Sequence, residues 1–234
     1  MDWHATVDHF HPERSHIHLV DYSVEPGLGP RAAPLQGWGA ALTRWMKQRE
    51  IPPEQTVIIG YSQGGRLALQ AQKVCPFLKG LILISVNPGL PNEDRLARRQ
   101  RAIQDEAWAR RFESEPWEKV LEDWNKQSVF EGSSCEPLRP GGAQEGLEAA
   151  AMLRAWSLSS QEDMGLLLRE NAERIHWVVG DLDSKYKDLW MTLASGEVPG
   201  PRGTIIGESG HRILFDQPEL LRDELLLLLD EKFR

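Results

Sequence analysis

Cysteine is scarce in this chain: Cys75 and Cys135 are the two in 234 residues. Two thiols make no disulfide framework, so an apolar core must hold the fold, and both are expected as free thiols of a reducing compartment. Long apolar runs are missing too. None exceeds Leu225 to Leu229, far short of the roughly 20 residues that a spanning helix needs. No basic stretch followed by an apolar one opens the chain, and the expectation is a cytoplasmic protein. Positive charge is in deficit: 27 Lys+Arg stand against 35 Asp+Glu, a formal net charge of -8. That balance argues against a general binder of nucleic acid or of anionic membranes. A metal-ligand set is lacking as well. His4, His9, His11, His16 and His18 crowd the start, and His9-x-His11 and His16-x-His18 would each put two rings on one side of a strand. No Cys or carboxylate cluster completes them, so no metal and no cofactor is expected.

What is present is enough for one large α/β domain, or for one domain carrying an insertion. The chain is 41% hydrophobic. Ile17 to Tyr22 reads as a strand, and Leu35 to Glu50 as a helix with Trp38, Leu42, Trp45 and Met46 sharing a face, ended by Pro52-Pro53. Thr56 to Ile59, Gly80 to Val86, Ile175 to Gly180 and Gly203 to Ile206 read as strands. The continuous apolar run Gly80 to Val86 implies burial on both faces, hence a mostly parallel sheet covered by helices. Between Asn87 and Asn171 no strand-like run occurs; helical stretches follow one another at about 92–112, 115–126, 143–158 and 161–170. The expected organisation is an α/β core of residues 1–86 and 172–234 with a helical cap of 87–171.

The stretch Gly60-Tyr61-Ser62-Gln63-Gly64-Gly65 lies between the first buried strand and a run of good helix formers, Arg66 to Lys73. A G-x-S-x-G at a strand-to-helix turn holds its serine in a strained backbone conformation at a helix N-terminus, where free N–H groups receive negative charge. The small residues two before and two after, Gly60 and Gly64, are expected to avoid collision across the turn, and Gly65 to let the helix lie close on the sheet.

A serine in that place needs a base, and the base an orienting carboxylate. Asp181-Leu182-Asp183-Ser184-Lys185 follows one late strand and Glu208-Ser209-Gly210-His211 the next, at strand C-terminal ends, where sites of open α/β sheets form. His211 is the only histidine after Ser62 in such a loop; spacing leaves Asp181 and Asp183 even as its orienter. The cap is rich in arginine: Arg95, Arg98, Arg99, Arg101, Arg110 and Arg111, then Arg139 and Arg154. Guanidinium forks match carboxylates, so the expected ligand is a small anionic molecule. Arg66, one turn after the serine, belongs near a pocket floor, where an unpaired cation is costly.

Several stretches together resemble one family: Gly60 to Arg66, Asn87-Pro88-Gly89-Leu90 with Arg95 to Arg101, Glu122-Asp123-Trp124 through Phe130, Gly180 to Lys185, and Gly210-His211. They resemble the α/β-hydrolase-fold enzymes of menaquinone biosynthesis that release pyruvate, the 2-succinyl-6-hydroxy-2,4-cyclohexadiene-1-carboxylate synthases. The resemblance implies a triad of Ser62, Asp183 and His211. It implies substrate contacts from Tyr61, Arg66, Arg99, Trp124, Lys185 and Arg139, with the backbone N–H of Gln63 as an oxyanion donor. The implied reaction is a metal-free elimination of pyruvate from a polycarboxylate, begun by Ser62 activated by His211, with no covalent intermediate. The chain departs from the fold's usual pattern in one respect. It opens at Met1-Asp2-Trp3 with no His-Gly pair before Ser62. Either the start of the sequence is mis-assigned, or this form is without the usual N-terminal strands and one oxyanion donor, a loss that lowers rates about a hundredfold to a thousandfold. A serine carboxylesterase or thioesterase-like hydrolase, and a catalytically impaired binding protein, are the alternative readings.

Overall fold

The computed structural model describes residues 3–7, 16–134 and 139–233. His9, His11 and Cys135 lie outside the described residues. At the centre are four parallel strands, β1 (Val57–Tyr61), β2 (Gly80–Ile84), β3 (Ile175–Gly180) and β4 (Arg202–Ile206), side by side in that order. Ile58 pairs with Leu81, Leu81 with Ile175, and Trp177 with Gly203. Every residue of β2 and β3 is buried, the polar His176 of β3 included.

Alternation along the strands sorts these side chains between two layers. Leu81, Leu83, Trp177 and Val179 join one core, with Trp38, Trp45, Leu67 and Leu69 from helices α2 (Leu35–Gln48) and α3 (Gln63–Val74). Ile82, Ile84, Val178 and Ile206 join the other, with Leu221, Leu225 and Leu228 of α10 (Pro218–Glu231). The short α1 (His4–Val7) packs on α10, and α9 (Ile213–Asp216) leads into it.

Between β2 and β3 the chain leaves the sheet for α4 (Arg95–Ser114), α5 (Trp117–Asn125), α6 (Ala143–Ala155) and α7 (Gly165–Glu170). These helices have a small core of their own, Ala109, Phe112, Val120 and Ala150, ringed by Trp108, Trp117 and Trp124. They fall inside the 87–171 block read from the sequence.

One expected strand is absent. Ile17 to Tyr22 is not a strand. The segment runs over α2, where the His18 ring meets Trp45 edge-on, while the Tyr22 ring meets Trp156. Its apolar residues serve that packing and not a ladder, so the reading of His16 and His18 on one side of a strand falls with it. Ser184–Ala194 forms a helix, α8, where the sequence reading placed no element. Tyr186, Leu189, Trp190 and Leu193 have the spacing of a helix face, and all four pack on the first core.

Candidate active site

The turn between β1 and α3 is as strained as a serine there must be. Ser62 has φ 48° and ψ -110°, a conformation non-glycine residues rarely adopt. Its N–H donates to the carbonyl of Ile84 on the neighbouring strand, which ties the turn to the sheet. The steric demand falls on Gly60 and Gly65. A Cβ on Gly60 would lie 2.6 Å from the Gly65 Cα, and one on Gly65 would lie 2.1 Å from Val86 Cγ2. A Cβ on Gly64 would meet nothing within 4 Å, so the expectation that Gly64 must be small is corrected: its Cα turns away from the crossing of strand and helix. Gln63 is the first residue of α3, where no intrahelical carbonyl can reach its N–H.

His211, 2% exposed, hangs from the loop after β4. Its Nδ1–H donates to Asp183 Oδ2 at 2.9 Å, and that bond leaves Nε2 to accept the Ser62 hydroxyl at 3.0 Å. Asp183 is itself 5% exposed, at the start of α8. Asp181, the equal candidate on spacing, has another place: its Oδ1 accepts the Ser209 N–H at 3.1 Å. Asp216 Oδ2 accepts the Gly210 N–H at 3.0 Å. Two carboxylates thus brace the loop while the third faces the imidazole.

Aromatic rings enclose that imidazole. Tyr186 lies 4.5 Å from it, Tyr61 5.6 Å and Phe130 6.1 Å, centroid to centroid. Burial and the nearby Asp183 push the Tyr186 phenol up to about 12. Trp124 stands behind Phe130 at 6.5 Å and belongs to the aromatic cluster of α4 and α5. The guanidinium of Arg212 lies 3.9 Å over the Phe130 ring and donates to Asn125 Oδ1.

The cations sort differently from expectation. Arg66 is buried, and its guanidinium donates to the Trp156 carbonyl at 2.7 Å and to Gln161 Oε1 at 3.2 Å. Both acceptors are neutral, and among the described residues no carboxylate forms an ion pair with it. Burial first, and the charge of Arg101 second, lower its pKa to about 10. Lys185 keeps solvent exposure, yet the protein crowded about its ammonium, and Arg101 next, draw its pKa below the usual lysine value, against the pull of Asp183. Arg99 is exposed on α4. Arg139 is exposed, and its carbonyl accepts the Trp117 indole N–H. The structure brings Ser62, Asp183, His211 and Tyr61 together, with Arg66, Lys185 and Trp124 around them. It does not bring Arg99 or Arg139 to the imidazole.

A model of the alpha/beta hydrolase family matches residues 1–224. The 2-succinyl-6-hydroxy-2,4-cyclohexadiene-1-carboxylate synthase of Salmonella newport (strain SL254) is 31% identical over 236 residues, covering 97% of this chain and 88% of the relative. The chain belongs to the α/β-hydrolase family, among these synthases. The synthase of Klebsiella pneumoniae is 36% identical over 168 residues, 69% of this chain and 63% of the relative. The structure of MenH from S. aureus superposes with a TM-score of 0.83 at 20% identity, over 100% of this chain and 90% of that one. A thermophilic esterase from Thermogutta terrifontis, malate bound, superposes with 0.66 at 19% identity, over 100% and 86%. At those identities both neighbours speak for the fold alone.

For an α/β-hydrolase, a hydroxyl bonded to a buried imidazole that is in turn bonded to a buried carboxylate can remove a proton or attack a carbonyl. Sequence reasoning missed Tyr186 because α8 was missed: with a helix opening at Asp183, Tyr186 falls one turn on, beside His211. It missed Phe130 and Arg212 because only tertiary contact links them to the histidine. No helix among the described residues is long and apolar enough to cross a membrane.

Proposed function

We propose that this protein is a carbon–oxygen lyase of menaquinone biosynthesis. It eliminates pyruvate from 2-succinyl-5-enolpyruvyl-6-hydroxy-3-cyclohexene-1-carboxylate to give 2-succinyl-6-hydroxy-2,4-cyclohexadiene-1-carboxylate. The observation that carries the reading is the Ser62–His211–Asp183 line beside Arg66, a buried guanidinium with no carboxylate paired to it among the described residues. A polycarboxylate substrate supplies the missing anion. The names of substrate and product fix the bonds. The ring loses the proton at C2, next to the succinyl ketone; the C3–C4 double bond becomes C2–C3 and C4–C5 double bonds; and the C5–O bond breaks.

In this reading Ser62 and His211 act as one base. The hydroxyl passes its proton to Nε2 as Oγ takes the C2 proton, and the imidazolium then returns one proton to the departing enolpyruvate, which ends as pyruvate. Asp183 keeps Nδ1–H in place and offsets the imidazolium charge. Negative charge growing on the succinyl ketone oxygen meets the Gln63 N–H at the start of α3. Tyr61 and Trp124 belong to the walls, and residues 87–171 are the cap. The cytoplasm is the proposed location.

The test supplies the enolpyruvyl substrate and follows pyruvate for wild type, Ser62→Ala and Arg66→Ala. Release by wild type, lost with Ser62→Ala and slowed with Arg66→Ala, is expected. A wild type that makes no pyruvate but rapidly hydrolyses a simple aryl ester through Ser62 overturns the reading in favour of an esterase.

A further inference from the structure

We propose that the succinyl carboxylate of the substrate docks on the forked end of Arg101, in the cleft between α4 and α8, and that Asp105 is the positioning residue that presents Arg101 there; this rests on the polycarboxylate substrate proposed above. The cleft has a volume of about 560 Å³, and Leu90, Arg101 and Gln104 face Lys185, Asp188 and Leu189 across it. Asn87 and Gly89 of its lining follow β2, and Lys185 on its α8 side is two residues beyond Asp183.

Arg101 differs from every other arginine of α4 in being both fixed and available. Its Nε–H donates to Asp105 Oδ1 at 2.8 Å, and both terminal nitrogens have no hydrogen-bond partner among the described residues. Its side chain is 34% exposed, that of Asp105 7%. Asp105 cannot swing away, because its Oδ2 accepts the Ser157 hydroxyl at 2.6 Å. The outcome is a guanidinium held by one edge with its fork free, the geometry that binds a carboxylate bidentately.

The neighbours are engaged or turned away. Arg98 donates to the carbonyls of Leu90, Ser159 and Gln161, so it fastens the loop after β2 to the helical segment. Arg110 and Arg111 pair with Glu106, Glu115 and Asp123. Arg99 lies two positions before Arg101, about 200° around the helix, and so faces elsewhere; it is exposed and no part of the cleft wall.

Charge favours an anion in this place. Arg101 lowers the pKa of both Arg66 and Lys185, so its charge repels each of them. Asp105 offsets only part of that, and the acidic residue of the lining, Asp188, is exposed. A carboxylate between Arg101 and Lys185 relieves the repulsion between them.

The experiment has two arms. In the first, KM and kcat for pyruvate release are measured for wild type, Arg99→Gln, Arg101→Gln, Arg101→Lys, Asp105→Asn and the double variant Arg101→Gln/Asp105→Asn. Arg101→Gln is expected to raise KM about tenfold or more, as for a lost charged hydrogen bond, with kcat within about threefold. Its effect on KM should exceed that of Arg99→Gln at least about fivefold, and Arg101→Lys should recover part. Asp105→Asn should raise KM in the wild-type background and add nothing in Arg101→Gln, the signature of acting through that residue. Ser157→Ala, which frees Asp105 Oδ2 without changing charge, serves if Asp105→Asn fails to fold, and should shift KM in the same direction. An unchanged KM in Arg101→Gln, or equal effects of Asp105→Asn in both backgrounds, overturns the proposal. The second arm needs no turnover: succinate is titrated calorimetrically into wild type and Arg101→Gln. Weaker binding by about tenfold in the variant supports the subsite, and equal binding, or none to wild type, overturns it. A wild type that binds succinate through Arg101 yet releases no pyruvate would sink the elimination and leave the subsite standing.

Discussion

In β2 and β3 every residue is buried, and two apolar layers take up their side chains in alternation. In α4, which is 20 residues long, the buried residues are Asp105, Ala109 and Phe112. The sheet is held by apolar area. The helical segment is held by one aromatic cluster and by guanidinium bonds: Arg98 to carbonyls, Arg111 to Glu115 and Asp123, Arg154 to Glu106 and Glu113. Exposed ion pairs contribute little each and are screened by salt. The difference also divides the site. Ser62, Asp183 and His211 hang from strand ends, while Arg101, Trp124 and Phe130 come from the helical segment. Changes at the first set should act on rate, and changes at the second on substrate binding and local order.

The largest expected effect is on rate. Ser62→Ala should lower pyruvate release by roughly 10⁴-fold or more while thermal melts stay near wild type. A large fall in melting temperature would show that the turn is needed for the fold and not for chemistry alone. Next is Phe112→Ala, at the centre of the helical cluster, expected to cost about 3 kcal/mol. Hydrogen exchange should rise in 95–155 while amides of β2 and β3 stay protected; if the sheet amides follow, the two regions are one cooperative unit. Gly65→Ala places a methyl against Val86 and should cost roughly 1–3 kcal/mol in denaturant melts. Gly64→Ala, facing open space, should be neutral or slightly stabilising. Equal losses for both would contradict the steric account of the turn.

Two smaller effects separate the regions by pH and salt. Burial, then the charges of Lys232 and Arg202, lower the pKa of His176 in β3 from 6.5 to about 4. The unfolded chain therefore binds a proton below pH 6.5 that the folded one refuses until about pH 4, so stability falls as pH drops through that window. His176→Gln should flatten the slope between those values in melts taken across pH. The smallest effect is that of Arg154→Gln, which breaks exposed pairs with Glu106 and Glu113. It should shift the melting temperature by less than about 2 °C, and by less again in high salt.

The sheet was legible because its strands are short runs, mostly of apolar and β-branched residues, between turn formers. Ile175–Gly180 has the same bounds in sequence and structure, and the turn at Ser62 is where its glycines put it. Ile17 to Tyr22 misled, since a β-like run carries no information on whether a neighbouring edge is free to pair with it. The helix at Ser184 begins directly after Asp183, and its apolar face of Tyr186, Leu189, Trp190 and Leu193 is interrupted by the polar Lys187 and Asp188. Of the cap arginines, the sequence could report the crowd but not the member with a free fork.

By itself, the sequence determined an α/β sheet with a strained serine turn, a helical insertion after the second strand, and an acid and a histidine in loops after the last two. These follow from local pattern: burial on both faces, helix periodicity, glycine where side chains would collide. Spacing along the chain left open what the fold settles: that Asp183, which the family resemblance points to, and not Asp181 faces His211, that Gly65 and not Gly64 makes room for the turn, and that Arg101 and not Arg99 lines a cleft. Each is a choice between residues of one type a few positions apart. Which of them points inward depends on where other elements, distant in the chain, come to lie.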